Sequence, residues 1–174
     1  CMMESHTISV LVENKFGVLA RISGLFSGRG FNIDSLTVSP TNDETLSRMT
    51  IVTHGDDAVL EQVEKQLNRL VEVVKVTDLT GSGFVSRELM LVKVSTLGAV
   101  TGEIIQMATV FKRNVVNVER DSLVIEVTGP TAKCDAFVEL MKGFGIIELA
   151  RTGRVALART SETTEMIDQV VASE

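Results

Sequence analysis

The feature that most constrains this chain of 174 residues is an order of hydrophobic patterns that occurs twice. Runs that alternate apolar and polar residues predict strands, and runs with apolar residues three and four positions apart predict helices. These patterns follow one another as β-α-β-β-α-β, and the second half repeats the order at an offset of about 81 residues. The sequence therefore predicts an α+β protein of two tandem ferredoxin-like domains, each with two helices on one face of a sheet.

The predicted elements also define the domain boundaries. In the first half we expect strands at residues 7–13, 31–39, 47–54 and 71–79, and helices at 18–26 and 57–70. In the second half we expect strands at 88–94, 114–119, 123–128 and 146–151, with an extension through 155–157 left open, and helices at 99–112 and 130–143. The glycine-rich stretch after the first half predicts a linker at 81–84, between domains 1–80 and 85–160. Residues 161–174 form a tail with a helix-like apolar pattern.

Composition and charge argue against several classes of partner. The net charge is −6 and the chain has no Trp or Tyr, whereas nucleic-acid binding favours a basic face and stacking aromatics. The same charge argues against an anionic membrane surface. No apolar run approaches the ~18 residues of a membrane span, and the start lacks a signal-sequence pattern. We therefore expect a soluble cytoplasmic protein.

The small size of each half predicts self-association. A domain of fewer than about 80 residues buries only a modest fraction of its surface, and an open sheet leaves edges that need pairing. Two-fold homodimers are the commonest assembly. The sequence thus predicts at least a homodimer.

No motif in the sequence indicates a catalytic or metal site. His6 and His54 each lie beside a predicted strand end without an evident orienting partner. Two cysteines, Cys1 and Cys134, form no disulfide or metal pattern, and Cys134 fits the apolar face of a helix. The Gly28-x-Gly30 pair is an incomplete nucleotide fingerprint at a helix end, where glycine is expected in any case.

Three arginines in or near strands have an open role at this stage. Arg48 lies inside a predicted strand, and Arg151 and Arg154 lie near the last one. Each could bind an anion, pair with a carboxylate or lie on a solvated strand face. The sequence does not choose between these interpretations.

The turn Asn14-Lys15-Phe16-Gly17-Val18 is the best candidate for a binding site. It joins a strand to a helix, and a helix start combines free N–H groups with a partial positive charge that suits a carboxylate. Gly17 can adopt positive φ or admit a ligand close to the backbone, and the Asn14 amide can donate and accept. The turn could hold the head group of a free amino acid, or its residues could serve only the fold as a cap and a turn.

Longer stretches resemble one protein family. Most of Ile8–Thr41 together with Leu46–Thr50 closely resembles the ACT domain of the acetolactate synthase (acetohydroxyacid synthase) small subunit. The stretches Leu60–Val71, Arg87–Val94 and Glu148–Gly153 extend the resemblance through the second domain, to about residue 159. The ACT turn alone occurs in many amino-acid sensors, whereas the full run is specific.

The resemblance implies a regulatory role without an active site on this chain. Proteins of this family bind a larger catalytic subunit, which uses thiamine diphosphate, Mg²⁺ and usually FAD. That subunit condenses pyruvate with pyruvate or 2-oxobutanoate, in the first common step of branched-chain amino acid biosynthesis (valine, leucine and isoleucine). The small subunit raises its activity and confers feedback inhibition, usually by valine. On this chain the resemblance thus implies no cofactor, and it identifies no metal-binding residue; whether a metal aids effector binding is left open by the sequence.

The resemblance also implies where the effector binds, between the ACT domains of two chains. The strand-to-helix turn would hold the amino acid head group and line its apolar side chain, and the start of the second strand of the neighbouring chain would complete the site. Carried onto this sequence, the effector-binding residues are Asn14, Lys15, Phe16, Gly17, Val18, Leu19, Asn32 and Ile33.

Two other functions share some of these residues. A stand-alone ACT-type amino-acid sensor would use the same turn, but it gives no reason for the second domain. A small enzyme that hydrolyses acyl phosphates on a ferredoxin-like fold would need an arginine near an asparagine in the first turn, a role open to Arg21 and Asn14. An RNA-binding module disagrees with the charge and lacks the aromatic strand motifs.

Overall fold

The computed structural model describes residues 4–29, 31–98 and 100–160. The chain divides into two compact units, one made of Cys1–Val85 with the segment from Arg154 onward, the other of Ser86–Gly153. The tail helix expected in 161–174 lies outside the described residues.

The first unit has the predicted order of strands and helices. Its elements are β1 (Glu4–Glu13), α1 (Val18–Gly28), β2 (Ile33–Pro40), β3 (Leu46–Gly55), α2 (Asp57–Asn68) and β4 (Val73–Asp78). The strands pair antiparallel in the order β2-β3-β1-β4, so β2 and β4 are the edge strands.

Periodic apolar residues build the core of the first unit. The inward face of β1 carries Ile8, Val10 and Val12, and all three are buried. Helix α1 packs on them through a stripe that includes Ile22 and Phe26, at the spacing expected of an amphipathic helix. Asp56 caps α2 by accepting a hydrogen bond from the backbone N–H of Val59, at 2.9 Å.

The second unit repeats the architecture. Its elements are β5 (Phe84–Ser95), α3 (Thr101–Val110), β6 (Asn114–Val118), β7 (Ser122–Gly129), α4 (Thr131–Lys142) and β8 (Ile146–Arg151). These strands pair antiparallel in the order β6-β7-β5-β8, the same topology as in the first unit. The prediction of two tandem ferredoxin-like domains is confirmed.

The segment after β8 forms a separate short strand instead of extending β8. β8 ends at Arg151, and a separate strand β9 (Val155–Ala158) pairs with β5. Arg154 is hydrogen-bonded to the first unit: its backbone N–H donates to Ser35 Oγ at 3.2 Å and its Nη1 to Thr7 Oγ1 at 2.6 Å. The segment from Arg154 onward is part of the first compact unit. The domain bounds 85–160 remain a prediction from the sequence.

Arg151 has a structural role in the second unit. Its Nη2 donates to the buried carboxylate of Glu88 at 2.6 Å, and its Nη1 donates to Asp135 at 2.7 Å. Partial burial opposes the charge, but the hydrogen bonds to both carboxylates raise the pKa of Arg151, so the guanidinium stays protonated. Of the three interpretations open for Arg151, pairing with a carboxylate is therefore the one that the structure shows. Arg48, in the first unit, donates a hydrogen bond to Ser9 Oγ at 2.8 Å.

Cys134 lies in the core of the second unit, as its position on the helix predicts. The side chain is fully buried, and its Sγ donates to the carbonyl of Gly129 at 3.7 Å. Burial raises the pKa of the Cys134 thiol, and the nearby carboxylate of Glu88 adds to the effect. A thiol that is both buried and protonated is a poor nucleophile.

We expect Cys134 to resist thiol reagents in the native state. In a Cys1→Ser background at neutral pH, modification by a disulfide reagent should be at least about a hundredfold slower than in concentrated guanidinium, because the thiol must first be exposed by unfolding. The rate of absorbance change measures both reactions. Fast native-state labelling of Cys134 would contradict the buried position.

Candidate functional site

The turn between β1 and α1 is fixed by the loop that precedes β3. The backbone N–H of Asn14 donates to the Thr45 carbonyl at 2.7 Å, and its Nδ2 donates to the Glu44 carbonyl at 2.9 Å. Because a carbonyl only accepts, the amide nitrogen must face the loop. The Oδ1 of Asn14 therefore remains as an oriented acceptor on an exposed side chain.

Gly17 occupies the N-cap position of α1. Its φ of +82° lies in the left-handed region, which glycine adopts without strain. Within the described part of the chain, no side chain caps α1 and no acidic residue lies in its first turn. The unpaired N–H groups and the partial positive charge of this helix start are thus available to an anion.

The remaining residues of the turn border an open hollow. A space of about 490 Å³ is lined by Asn14, Lys15 and Phe16. Lys15 pairs with Glu13 at 2.8 Å, and the ring of Phe16 is fully exposed. Val18 is buried in the core, whereas Leu19 is about half exposed, at 46%. Exposed apolar side chains in and next to this turn indicate a surface that another molecule can cover.

Asn32 and Ile33 lie at the other end of the sheet from the turn. Ile33 and His6 are both paired with Thr53, so Ile33 is level with the beginning of β1, whereas Asn14 follows its end. About eight residues of strand separate these levels, roughly 25 Å at about 3.3 Å per residue. One copy of the chain therefore brings together Asn14–Leu19 but not Asn32 and Ile33.

Asp34 and His54, which the sequence did not single out as binding residues, lie next to Asn32 of the predicted site. Asn32 Nδ2 donates to Asp34 Oδ1 at 2.9 Å, and the other oxygen of Asp34 contacts His54 Nδ1. Asp34 thereby orients the Asn32 amide. The pairing register of β2 and β3 brings His54 to Asp34, so no local sequence signal identifies that contact.

The equivalent turn of the second unit lacks the asparagine and the acid-free helix start of the first. Gly98 has a φ of +90°, like Gly17, but Thr96 stands near it instead of an asparagine, and α3 carries Glu103 in its first turn. An acid at a helix start neutralises the partial charge that would attract an anion. The first unit is therefore the better candidate for binding a carboxylate.

The described residues give little support for a metal site, a membrane span or an acyl phosphate hydrolase site. Within them no three His, Cys, Asp or Glu residues cluster as metal ligands, and no helix is both long and apolar enough to cross a membrane. Arg21, the cation that an acyl phosphate hydrolase would need, pairs with Glu72 instead. His6 is buried and its Nε2 lies 3.0 Å from the Gly55 carbonyl.

Fold and turn together define a class of protein. Tandem ferredoxin-like units with a strand-to-helix turn that offers an amide oxygen and free helix N–H groups are typical of ACT-type regulatory proteins. Residues 8–75 match a family model described as an AHAS small subunit-like ACT domain, and residues 87–160 match one described as the small subunit of acetolactate synthase.

Individual relatives agree with both models. The chain is 56% identical over 154 residues to a probable acetolactate synthase small subunit from Archaeoglobus fulgidus, covering 88% of this chain and 96% of the relative. It is 47% identical to the acetolactate synthase small subunit of Aquifex aeolicus, covering 94% and 85%. The crystal structure of the small subunit from Thermotoga maritima matches with a TM-score of 0.83 and 41% identity, covering 91% and 99%. The chain belongs to the acetolactate synthase small subunit family.

Proposed function

We propose that this chain is the regulatory subunit of an acetolactate synthase. It binds the catalytic subunit, raises its activity and makes it sensitive to valine. The chain itself is non-catalytic, and thiamine diphosphate, Mg²⁺ and usually FAD belong to the catalytic subunit. Membership of the family supports the partnership. The observation that carries effector binding is the uncapped start of α1 beside the fixed amide of Asn14.

The turn is complementary to the head group of an amino acid. The ammonium group of valine donates to Asn14 Oδ1, since the nitrogen of that amide is already bonded to Glu44. The carboxylate of valine accepts from the free N–H groups at the start of α1, on the side where Gly17 leaves space. The half-exposed side chain of Leu19 offers an apolar contact for the isopropyl group.

A second copy of the chain supplies the missing wall. β2 is an edge strand. Its last residue, Pro40, is level with Val12 near the end of β1, because both are paired with Ser47 of β3, which lies between them. If two β2 strands pair antiparallel about a two-fold axis, the start of one lies beside the end of the other. Asn32 and Ile33 of the second copy then come to the end of the sheet that carries the turn.

Regulation follows from this location. A ligand shifts an equilibrium only when its affinity differs between two states, typically with a coupling of about 1–3 kcal/mol. Valine bound between two chains favours the state in which the two walls are in contact. The catalytic subunit responds because it binds the two states unequally.

Replacing the oriented amide should weaken effector binding. We expect titration calorimetry to detect valine binding by the unmodified chain and a loss of at least about tenfold in affinity for Asn14→Ala, because the ammonium loses its acceptor. Asn32→Ala should weaken binding similarly, from the other wall. Unchanged affinity in Asn14→Ala would exclude the turn as the site.

Mixed dimers test whether the two walls come from different chains. A dimer of one Asn14→Ala chain and one Asn32→Ala chain contains one doubly altered site and one unaltered site if the walls are in trans. We therefore expect half of the binding sites to regain normal affinity. If both walls came from one chain, neither site would recover.

Reconstitution separates this function from a stand-alone amino-acid sensor. Adding the chain to a purified catalytic subunit should raise acetolactate formation, and valine should reverse the increase. Valine binding without any effect on the catalytic subunit would favour the sensor. The expected cytoplasmic location remains a prediction.

A further inference from the structure

The second unit contains a groove with no role in the proposed effector site. It lies between the C-terminal end of α3 and one face of α4 and encloses about 480 Å³. Its apolar surface comes from Val110, Phe111, Phe137 and Leu140. Val110 is 70% exposed and Phe111 is 50% exposed. We refer to this feature as the α3–α4 groove.

The groove is bordered by cations without acidic partners. Lys112, Arg113 and Lys133 line it, and none of the described residues that line it is acidic. The ammonium groups of Lys112 and Lys133 have no hydrogen-bonding or ionic partner among the described residues. The other lysines of the chain all have such interactions: Lys15, Lys65, Lys75, Lys93 and Lys142. The groove is thus a basic patch on a chain whose net charge is −6.

Arg113 is held at the base of the groove. Its guanidinium lies 6.0 Å from the centre of the Phe137 ring, and its Nη1 donates to the Thr128 carbonyl at 3.1 Å. The Nε of Arg113 is buried without a partner in the described structure. Arginine and aromatic side chains are each enriched at protein interfaces.

Lys112 is present at a position that normally requires glycine. Its φ is +54°, and no other non-glycine residue among those described has positive φ. The backbone N–H of Arg113 donates to Ala108 and that of Lys112 to Thr109, the pattern in which a helix usually ends on glycine. A lysine here is strained, and strain of this kind is typical of functional positions.

We propose that the α3–α4 groove is the surface that binds the catalytic subunit, through a segment that carries apolar residues and carboxylates. This inference rests on the proposed function. Charge complementarity selects the occupant: apolar side chains fill the hollow, and carboxylates pair with Lys112, Lys133 and Arg113. The exposed Val110 and Phe111 become buried in the complex, which removes an apolar surface that water would otherwise contact.

Charge reversal tests the groove in the assembled enzyme. The catalytic subunit is titrated with the unmodified chain and with Lys112→Glu and Lys133→Glu, singly and combined. We expect the dissociation constant of the double variant to rise by about tenfold or more, and the salt dependence of binding to decrease. Both side chains are exposed, so the melting temperature should stay near that of the unmodified chain.

Arg120→Glu is the matched control. Arg120 is exposed and lies in the same unit, in the turn between β6 and β7. The carbonyl of the next residue, Asp121, accepts a hydrogen bond from the backbone N–H of Thr96, which precedes α3. Arg120 is therefore at the opposite end of α3 from the groove. Its reversal changes the net charge by as much as either single lysine reversal and should leave the dissociation constant within about twofold. Equal weakening by Arg120→Glu would mean that net charge alone matters, and it would overturn the proposal.

Lys112→Gly separates function from structure at this residue. Glycine relieves the backbone strain, so we expect a higher melting temperature together with weaker binding of the catalytic subunit. A purely structural lysine would give the same rise in stability with unchanged binding, which would contradict the proposal.

The outcomes distinguish this inference from the proposed function. If the unmodified chain does not bind or activate the catalytic subunit, the proposed function fails and this inference fails with it. If the unmodified chain activates and the groove variants bind equally well, only the groove assignment is wrong. If the reversals change only the oligomeric state of the chain, the groove joins copies of the chain and the proposal is overturned.

Discussion

Gly17→Asp should abolish inhibition by valine while the chain still activates the catalytic subunit. An aspartate at the N-cap position places a carboxylate beside the free N–H groups of α1, where the carboxylate of valine would bind. The two anions compete for the same donors and repel each other, so valine affinity should fall by at least about a hundredfold. Apart from Gly17 itself and its two chain neighbours, no heavy atom of the described residues lies within 4 Å of the position that a β-carbon would take there, so the fold has space for the side chain. The measurement is acetolactate formation by the reconstituted enzyme over a range of valine concentrations.

Gly98→Asp is the control that the chain itself provides. Gly98 lies in the equivalent turn of the second unit, with a φ of +90° and similarly open space around it. The substitution introduces the same charge and the same backbone strain, but at a turn that lacks an asparagine. Valine inhibition should therefore persist in Gly98→Asp. Inhibition that survives in Gly17→Asp would exclude the first turn as the effector site.

Glu88→Ala should cause the largest loss of stability among the polar substitutions considered. The Glu88 carboxylate is buried, and Arg151 donates to it through both Nε and Nη2, at 3.2 and 2.6 Å. Removing it leaves a partly buried guanidinium whose one remaining ionic partner among the described residues is Asp135. Breaking a buried pair from one side typically costs about 3–5 kcal/mol, so we expect about 3 kcal/mol here, because Asp135 remains. Urea unfolding followed by circular dichroism measures the change.

Two variants calibrate this result. Lys93→Ala removes an exposed pair with Glu148 on neighbouring strands and should cost less than about 1 kcal/mol. Replacing both members of the buried pair, Glu88→Leu with Arg151→Met, should recover much of the loss, because no uncompensated charge remains. A small effect of Glu88→Ala, similar to that of Lys93→Ala, would mean that water reaches Arg151 and that the pair contributes little.

Local signals predicted the elements that short-range chemistry controls. The helix pattern of α1 and the buried position of Cys134 follow from residues within a few positions of one another. The turn at Gly17 follows for the same reason, since a strand pattern ends and a helix pattern begins there. Boundaries were less accurate: β5 begins at Phe84, inside the predicted linker, because pairing with other strands extends it.

Contacts between distant parts of the chain decided the rest. The sequence by itself determined the duplicated fold and placed an asparagine and a glycine at the start of α1. Only the tertiary structure showed that the loop before β3 orients the Asn14 amide, and that the β1–β3 register places Asn32 at the opposite end of the sheet. It also decided that Arg151 pairs with Glu88 and that Lys112 and Lys133 border one groove. Periodicity reports which face of an element is buried, whereas strand register and helix packing decide which distant side chains meet.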